Sequence, residues 1–183
     1  MGISLRGFSS DRTLRQDPGP AMASLFPHVR PFLDSERRDI AFALHAWEEC
    51  RGSKPLPNFK EMTAEELNGA WPFAFILDLN IGGAARSDLS HAVITYSGEA
   101  LFDFFGHDPE GLSPAEGLPR AVWERLQHVF DAVIEQKRPL GVSDHYTLRD
   151  GREGIYRSIL LPLGDEEGNL ARLLGVIKFK FSG

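Results

Sequence analysis

Apolar residues recur at helical spacing in two long stretches of this chain and alternate at strand spacing through its last third. The first stretch starts at Asp34 or Ser35, either of which caps a helix N-terminus, and runs to about Arg51. Ile40, Ala43, Leu44 and Trp47 form its stripe, Phe42 and Ala46 widen it, and Arg37, Arg38, Glu48 and Glu49 fall mostly elsewhere. The second stretch starts at Pro119 and runs to about Lys137, where Pro139 ends it. Its Val122, Leu126, Val129, Phe130, Val133 and Ile134 recur on one helical face. Between the two, residues 71–79 are apolar at both parities, as in a strand covered on both faces, and residues 91–96 alternate as a second strand.

The last third predicts three antiparallel strands. Residues 140–149 place Leu140, Val142, Tyr146 and Leu148 on one face and Ser143, His145 and Thr147 on the other. Asp150-Gly151 is a two-residue hairpin signal, residues 152–163 return, and residues 164–168 turn again. In the closing strand, 170–181, Leu173, Ile177, Phe179 and Phe181 share one face and Lys178 and Lys180 the other.

Short helices fill the gaps. Thr63-Ala-Glu-Glu66 predicts a capping box and a helix ending near Asn68-Gly69. Ser97 is positioned to cap a helix whose Leu101, Phe104 and Phe105 lie on one face, with Gly106 as its left-handed end and Asp108-Pro109 to Gly111 as a turn. Residues 81–87 carry paired glycines without the spacing of a phosphate cradle, and read as a turn. Sequential antiparallel strands with helices grouped apart predict an α+β domain. Residues 1–33 read as a flexible arm in which Met22 is an alternative start to Met1, residues 34–58 as the N-terminal helix and a linker, and residues 59–183 as the domain.

Composition narrows the function classes. The 183 residues are 42% hydrophobic, enough for a real core, and the 13 Phe make that core ring-rich. A net charge of −6 argues against a general nucleic-acid partner, which needs a basic face to neutralise phosphate. The single cysteine, Cys50, excludes an intramolecular disulfide. No apolar run approaches the roughly 20 residues that span a bilayer, and the N-terminus lacks a secretion signal's hydrophobic segment. The expectation is a cytoplasmic protein with no membrane partner.

Several residue groups in this order resemble PAS domains, in particular the bacterial type that stands almost alone in its chain. They are Trp47 in a helix followed by Gly52 and Leu56-Pro57; the strand ending Phe75-Ile-Leu-Asp78; and the strand into Ser97-Gly98, then Phe105-Gly-His-Asp108-Pro-Glu-Gly111. After the long helix come Arg138-Pro139, Leu160-Leu-Pro-Leu163 and Leu173-Leu-Gly175, so the likeness covers roughly residues 38–181. One departure is Thr95, where the family pattern commonly has an arginine. The resemblance implies a five-stranded antiparallel sheet with helices over one face, a ligand or signal pocket between them, an N-terminal helix on the outer face and frequent dimerisation through that helix. It names no ligand, because one fold hosts many functions.

No reaction chemistry stands out. Flavin photoreceptors of this type need a cysteine beside the pocket, whereas Cys50 ends the outer helix, so no covalent flavin is expected. Haem-binding members often use a histidine of the long helix, but His128 falls opposite its apolar arc, so no haem is expected. His28, His45, His91, His107 and His145 lack metal-ligand spacing, and Asp144 and His145 point to opposite faces of a strand.

A two-residue turn at Asp150-Gly151 sets Val142 opposite Ile159, Tyr146 opposite Ile155, and Asp144 opposite Arg157. Asp144 and Arg157 are then either a salt bridge that fixes register or a polar anchor on the pocket floor. The candidate pocket comprises Phe102, Phe105, Trp123, Leu126, Phe130, Asp144, Tyr146 and Arg157, with Phe104 as core. The candidate dimer contact is Ile40, Ala43, Leu44 and Trp47. The function expected is a non-catalytic sensory or regulatory domain that binds a small ligand or protein and signals through helix or dimer rearrangement, with a homodimer and an unidentified signalling protein as partners. The alternatives are a ligand-free interaction adaptor and, third, a small enzyme built on Asp144, Arg157 and a tyrosine.

Overall fold

The computed structural model describes residues 34–79, 89, 91–147 and 150–181, without the side chains of 34–37 and 103. The expected arm over 1–33, the turn over 81–87 and residues 148–149 lie outside them. In chain order the elements are α1 (Asp34–Arg51), α2 (Ala64–Leu67), β1 (Ala74–Asp78), β2 (Val93–Ser97), α3 (Phe102–Phe105), α4 (Pro114–Gly117), α5 (Arg120–Gln136), β3 (Leu140–Thr147), β4 (Glu153–Gly164) and β5 (Leu170–Phe181). Short 3-10 turns, Asn68–Phe73 and Glu99–Leu101, precede β1 and α3. The five strands form one antiparallel sheet in the order β2-β1-β5-β4-β3.

Strand registers sort the side chains onto two faces. Phe75 and Leu77 of β1, Tyr156, Ser158 and Leu160 of β4, and Leu173, Gly175, Ile177 and Phe179 of β5 share the inner face, under α3 and α5. Ile76, Arg157, Ile159, Leu161, Leu174, Val176 and Lys178 share the outer face, under α1. The α1 stripe of Ile40, Ala43, Leu44 and Trp47 is buried against that face, Ile40 and Leu44 each contributing about 1.5–3 kcal/mol and the Ala43 methyl about 0.8 kcal/mol. Trp47 Nε1 donates to Pro162 O at 2.7 Å, and the Lys178 ammonium meets Asp39 at 2.7 Å. The linker is tied down as well: Phe59 N donates to Gly164 O at 2.9 Å and Gly164 N to Pro57 O at 2.8 Å.

Three local expectations change. Strand β1 starts at Ala74 and not at residue 71, because Pro72 has no N–H for a ladder and sits within the 3-10 turn. Ser97 ends β2 and does not cap a helix. Pairing persists through Gly98, whose N–H donates to Ala74 O at 2.8 Å, so the 3-10 turn begins only at Glu99. At α2, the Thr63 hydroxyl accepts from Glu66 N, but Thr63 N donates to Glu61 O, so only half of the expected box forms.

The largest change is the β3–β4 hairpin. Thr147 pairs with Glu153 at the turn end of the described ladder. The Asp150 carboxylate accepts from Arg152 N at 3.0 Å and from Arg152 Nε at 2.7 Å, holding Arg152 in the turn and out of the ladder. The register is therefore one residue off the two-residue-turn expectation, which reverses every facing relationship. Val142 faces Ser158, Asp144 faces Tyr156, Tyr146 faces Gly154, and Arg157 faces Ser143.

Candidate functional site

The inner face at the β3 end of the sheet gathers rings and hydroxyls. Phe104 lies at the centre, with ring centroids 4.9 Å from Phe179, 5.3 Å from Tyr146, 5.5 Å from Phe105 and 6.3 Å from Tyr156. Tyr146 and Tyr156 meet edge to face at 5.9 Å. A second ring group, Trp123, Phe130 and Phe75, continues beneath α5. Gly106 closes α3 at φ 75°, in the left-handed region, and so turns the chain away after Phe104 and Phe105 are seated.

Three hydroxyls lie within this apolar layer. Tyr146 is 4% exposed, and Tyr156 and Ser158 are fully buried. Among the described residues none of their side-chain oxygens has a hydrogen-bond partner. Burial in such surroundings disfavours the phenolate. It pushes the Tyr146 hydroxyl up to about 12, with Arg152 pulling slightly the other way, and raises Tyr156 as well. Both tyrosines thus keep their protons, and remain donors, at neutral pH.

One ion pair ties the long helix to the edge strand here. Arg125 Nη1 of α5 donates to Asp144 Oδ2 of β3, and the other Asp144 oxygen accepts from His145 N at 2.7 Å. The pair stands over Tyr156, which faces Asp144 across the ladder. Beside it opens a cleft of about 280 Å³ lined by Ala121, Arg125, His145, Tyr146, Thr147, Glu153 and Gly154.

Of the expected pocket residues, Phe105, Leu126, Phe130 and Tyr146 are buried together on the inner side, with Trp123 packed against them and Asp144 at their edge. Phe102 is 44% exposed and lines a separate surface cleft with Gly106, His107, Asp108 and Arg152. Arg157 lies on the outer face beside Lys178, so the expected pair of Asp144 with Arg157 does not form, because the hairpin register places them on opposite faces. The expected dimer residues Ile40, Ala43, Leu44 and Trp47 are covered by the chain's own sheet. His128 is exposed, as its position on the helix predicts.

Three participants escaped the sequence reading: Arg125, Tyr156 and Ser158. Arg125 is three residues after Val122 and four before Val129, on the rim of the apolar arc, and that spacing could have found it. Tyr156 and Ser158 alternate with Arg157 and needed the correct register.

An antiparallel five-stranded sheet has one face under α3 and α5 and the other under an N-terminal helix, as the resemblance implied. The fold is PAS-like. No protein-family model and no curated protein matches this sequence. Among solved structures, the PAS domain of the fruit-fly ELK potassium channel is similar at 15% identity, covering 66% of this chain and 96% of that one, with a TM-score of 0.46. The light-state LOV domain of the blue-light photoreceptor Aureochrome1 is similar at 18% identity, covering 64% and 87%, with a TM-score of 0.43. Likeness this distant adds nothing about ligand or partner, and the PAS-like description stands on the chain's own topology. Among the described residues no three of His, Cys, Asp and Glu gather as a metal site, and no helix is long and apolar enough to cross a membrane.

Proposed function

We propose that this chain is a non-catalytic sensory or regulatory module whose signal enters at the inner face beside Arg125, Asp144 and Tyr146. The observation that carries this reading is the set of three buried hydroxyls, Tyr146, Tyr156 and Ser158, without partners among the described residues. A buried hydroxyl left unpaired costs about 1–3 kcal/mol, and a purely structural core gains nothing by bearing three. A small polar molecule entering through the adjoining cleft would supply the missing bonds. Because Arg125 joins α5 to β3, occupancy there would alter how the long helix sits on the sheet, provided that the ligand binds one arrangement better than the other. Output would pass to a signalling protein or to a second copy of the chain, in the cytoplasm.

A second reading has its own support. Phe104 touches four rings, and a core so filled suits a ligand-free interaction adaptor. Native mass spectrometry of the full chain, with a thermal-shift screen of small metabolites, separates the two. A retained or stabilising small molecule supports the sensor. No adduct, and an unchanged melting temperature across the screen, supports the adaptor.

A further inference from the structure

The polar groups at the cleft are not balanced. Of the lining residues, Arg125 offers guanidinium donors and Tyr146 one hydroxyl hydrogen, with the buried Tyr156 ring packed edge to face behind Tyr146. The acceptor between them, Asp144, already takes bonds from Arg125 and from His145 N. Glu153 lines the outer rim of the cleft, in an exposed position at the end of β4. A donor-rich recess calls for an acceptor, and a carboxylate is the acceptor whose two oxygens match a guanidinium fork. Behind Tyr146 the Phe104 and Phe181 rings meet it edge to face at 5.3 Å and 6.1 Å. The cleft, about 280 Å³, falls just under the roughly 300–1,000 Å³ of pockets for drug-sized ligands, so its occupant is small.

We propose that the inner-face cleft is a binding site for a small aromatic or apolar monocarboxylate, whose carboxylate takes Arg125 from Asp144 and accepts from the Tyr146 hydroxyl. Asp144 is then an internal competitor that holds the site closed without ligand, and the exchange frees β3 from α5. This inference deepens the ligand reading above and rests on it.

Asp144 as competitor has a consequence that a merely structural salt bridge lacks. Removing its charge by Asp144→Asn should strengthen carboxylate binding. The gain expected is about 1.5- to fivefold, the worth of a solvent-accessible ion pair.

The test uses the full chain with benzoate as probe and benzamide as its neutral isostere, read by titration calorimetry and thermal shift, with circular dichroism confirming each variant's fold. The inference expects benzoate to bind and benzamide to bind at least about tenfold more weakly, as loss of a charge-assisted bond implies. It also expects Asp144→Asn to tighten benzoate, and Arg125→Gln to abolish it. Should Arg125→Gln fail to fold, Tyr146→Phe serves instead and should weaken benzoate several-fold. Equal binding of benzoate and benzamide overturns the carboxylate inference and leaves the ligand reading standing. No benzoate binding to either wild type or Asp144→Asn also overturns it. The ligand reading is then decided separately by the native mass spectrum.

Discussion

Gly154 faces Tyr146 across the β3–β4 ladder, and a methyl group on Gly154 would fall 2.7 Å from both Cζ and the hydroxyl of that ring. The tyrosine therefore lies over a bare stretch of backbone, and only glycine leaves it room. Gly154→Ala should push Tyr146 against Phe104 and destabilise the protein by about 1–3 kcal/mol, the usual cost of overpacking. Urea denaturation measures the loss. A Gly154→Ala variant as stable as wild type would mean that Tyr146 has an alternative seat.

The outer helix is held by a short list of polar contacts over a broad apolar one. Among the described residues, Asp39→Ala leaves the Lys178 ammonium, whose side chain is 14% exposed, with only the face of the Phe73 ring, 3.2 Å from its centroid. The expected loss is about 1–3 kcal/mol, the penalty for a buried polar group deprived of its partner. Adding Lys178→Met should recover most of it, since an apolar pair of similar volume carries no such penalty. A double variant no more stable than Asp39→Ala alone would contradict this.

Trp47 joins the same helix to β4 through its indole N–H on Pro162 O. Trp47→Phe keeps a ring in place and loses the bond and some area. The expected cost is about 1–2 kcal/mol, and local hydrogen exchange should rise along α1 more than along α5. Equal changes in both helices would contradict a docking role.

Alkaline stability follows from the tyrosines. Their folded-state values lie above the ordinary value near 10 because burial disfavours the phenolate, and Tyr146 stands at about 12. The native state therefore holds protons that the unfolded chain gives up. The contribution is fully present below about pH 10 and declines as pH rises from there through about 12. Tyr146→Phe should make the decline shallower in a pH series of melting temperatures. An identical profile in wild type and variant would show that Tyr146 titrates alike in both states.

Much of the fold was legible because its signals are periodic. The apolar rows of α1 and α5, the parity of β5, the left-handed Gly106 and the exposed side of His128 all follow from spacing alone. The candidate site was legible only in part, since its rings read as core, whereas its polar groups depend on hairpin register. Asp150-Gly151 carries the signature of a two-residue turn, yet the Asp150 carboxylate captures Arg152 and the described ladder sets Thr147 opposite Glu153. That side-chain bond shifts the ladder by one residue. It separates Asp144 from Arg157 and hands it to Arg125, a partner on another element that no strand pattern could name.

In the proposed function the Tyr146 and Tyr156 hydroxyls are kept for a ligand and not for the fold. Its most direct test is the unfolding free energy of ligand-free Tyr146→Phe/Tyr156→Phe, measured in urea against wild type at neutral pH. Removing two buried, unpaired hydroxyls should leave the protein as stable as wild type or more so, by up to about 1–3 kcal/mol for each. A double variant less stable than wild type by a comparable amount would show that both hydroxyls are satisfied within the folded chain, and would contradict the claim.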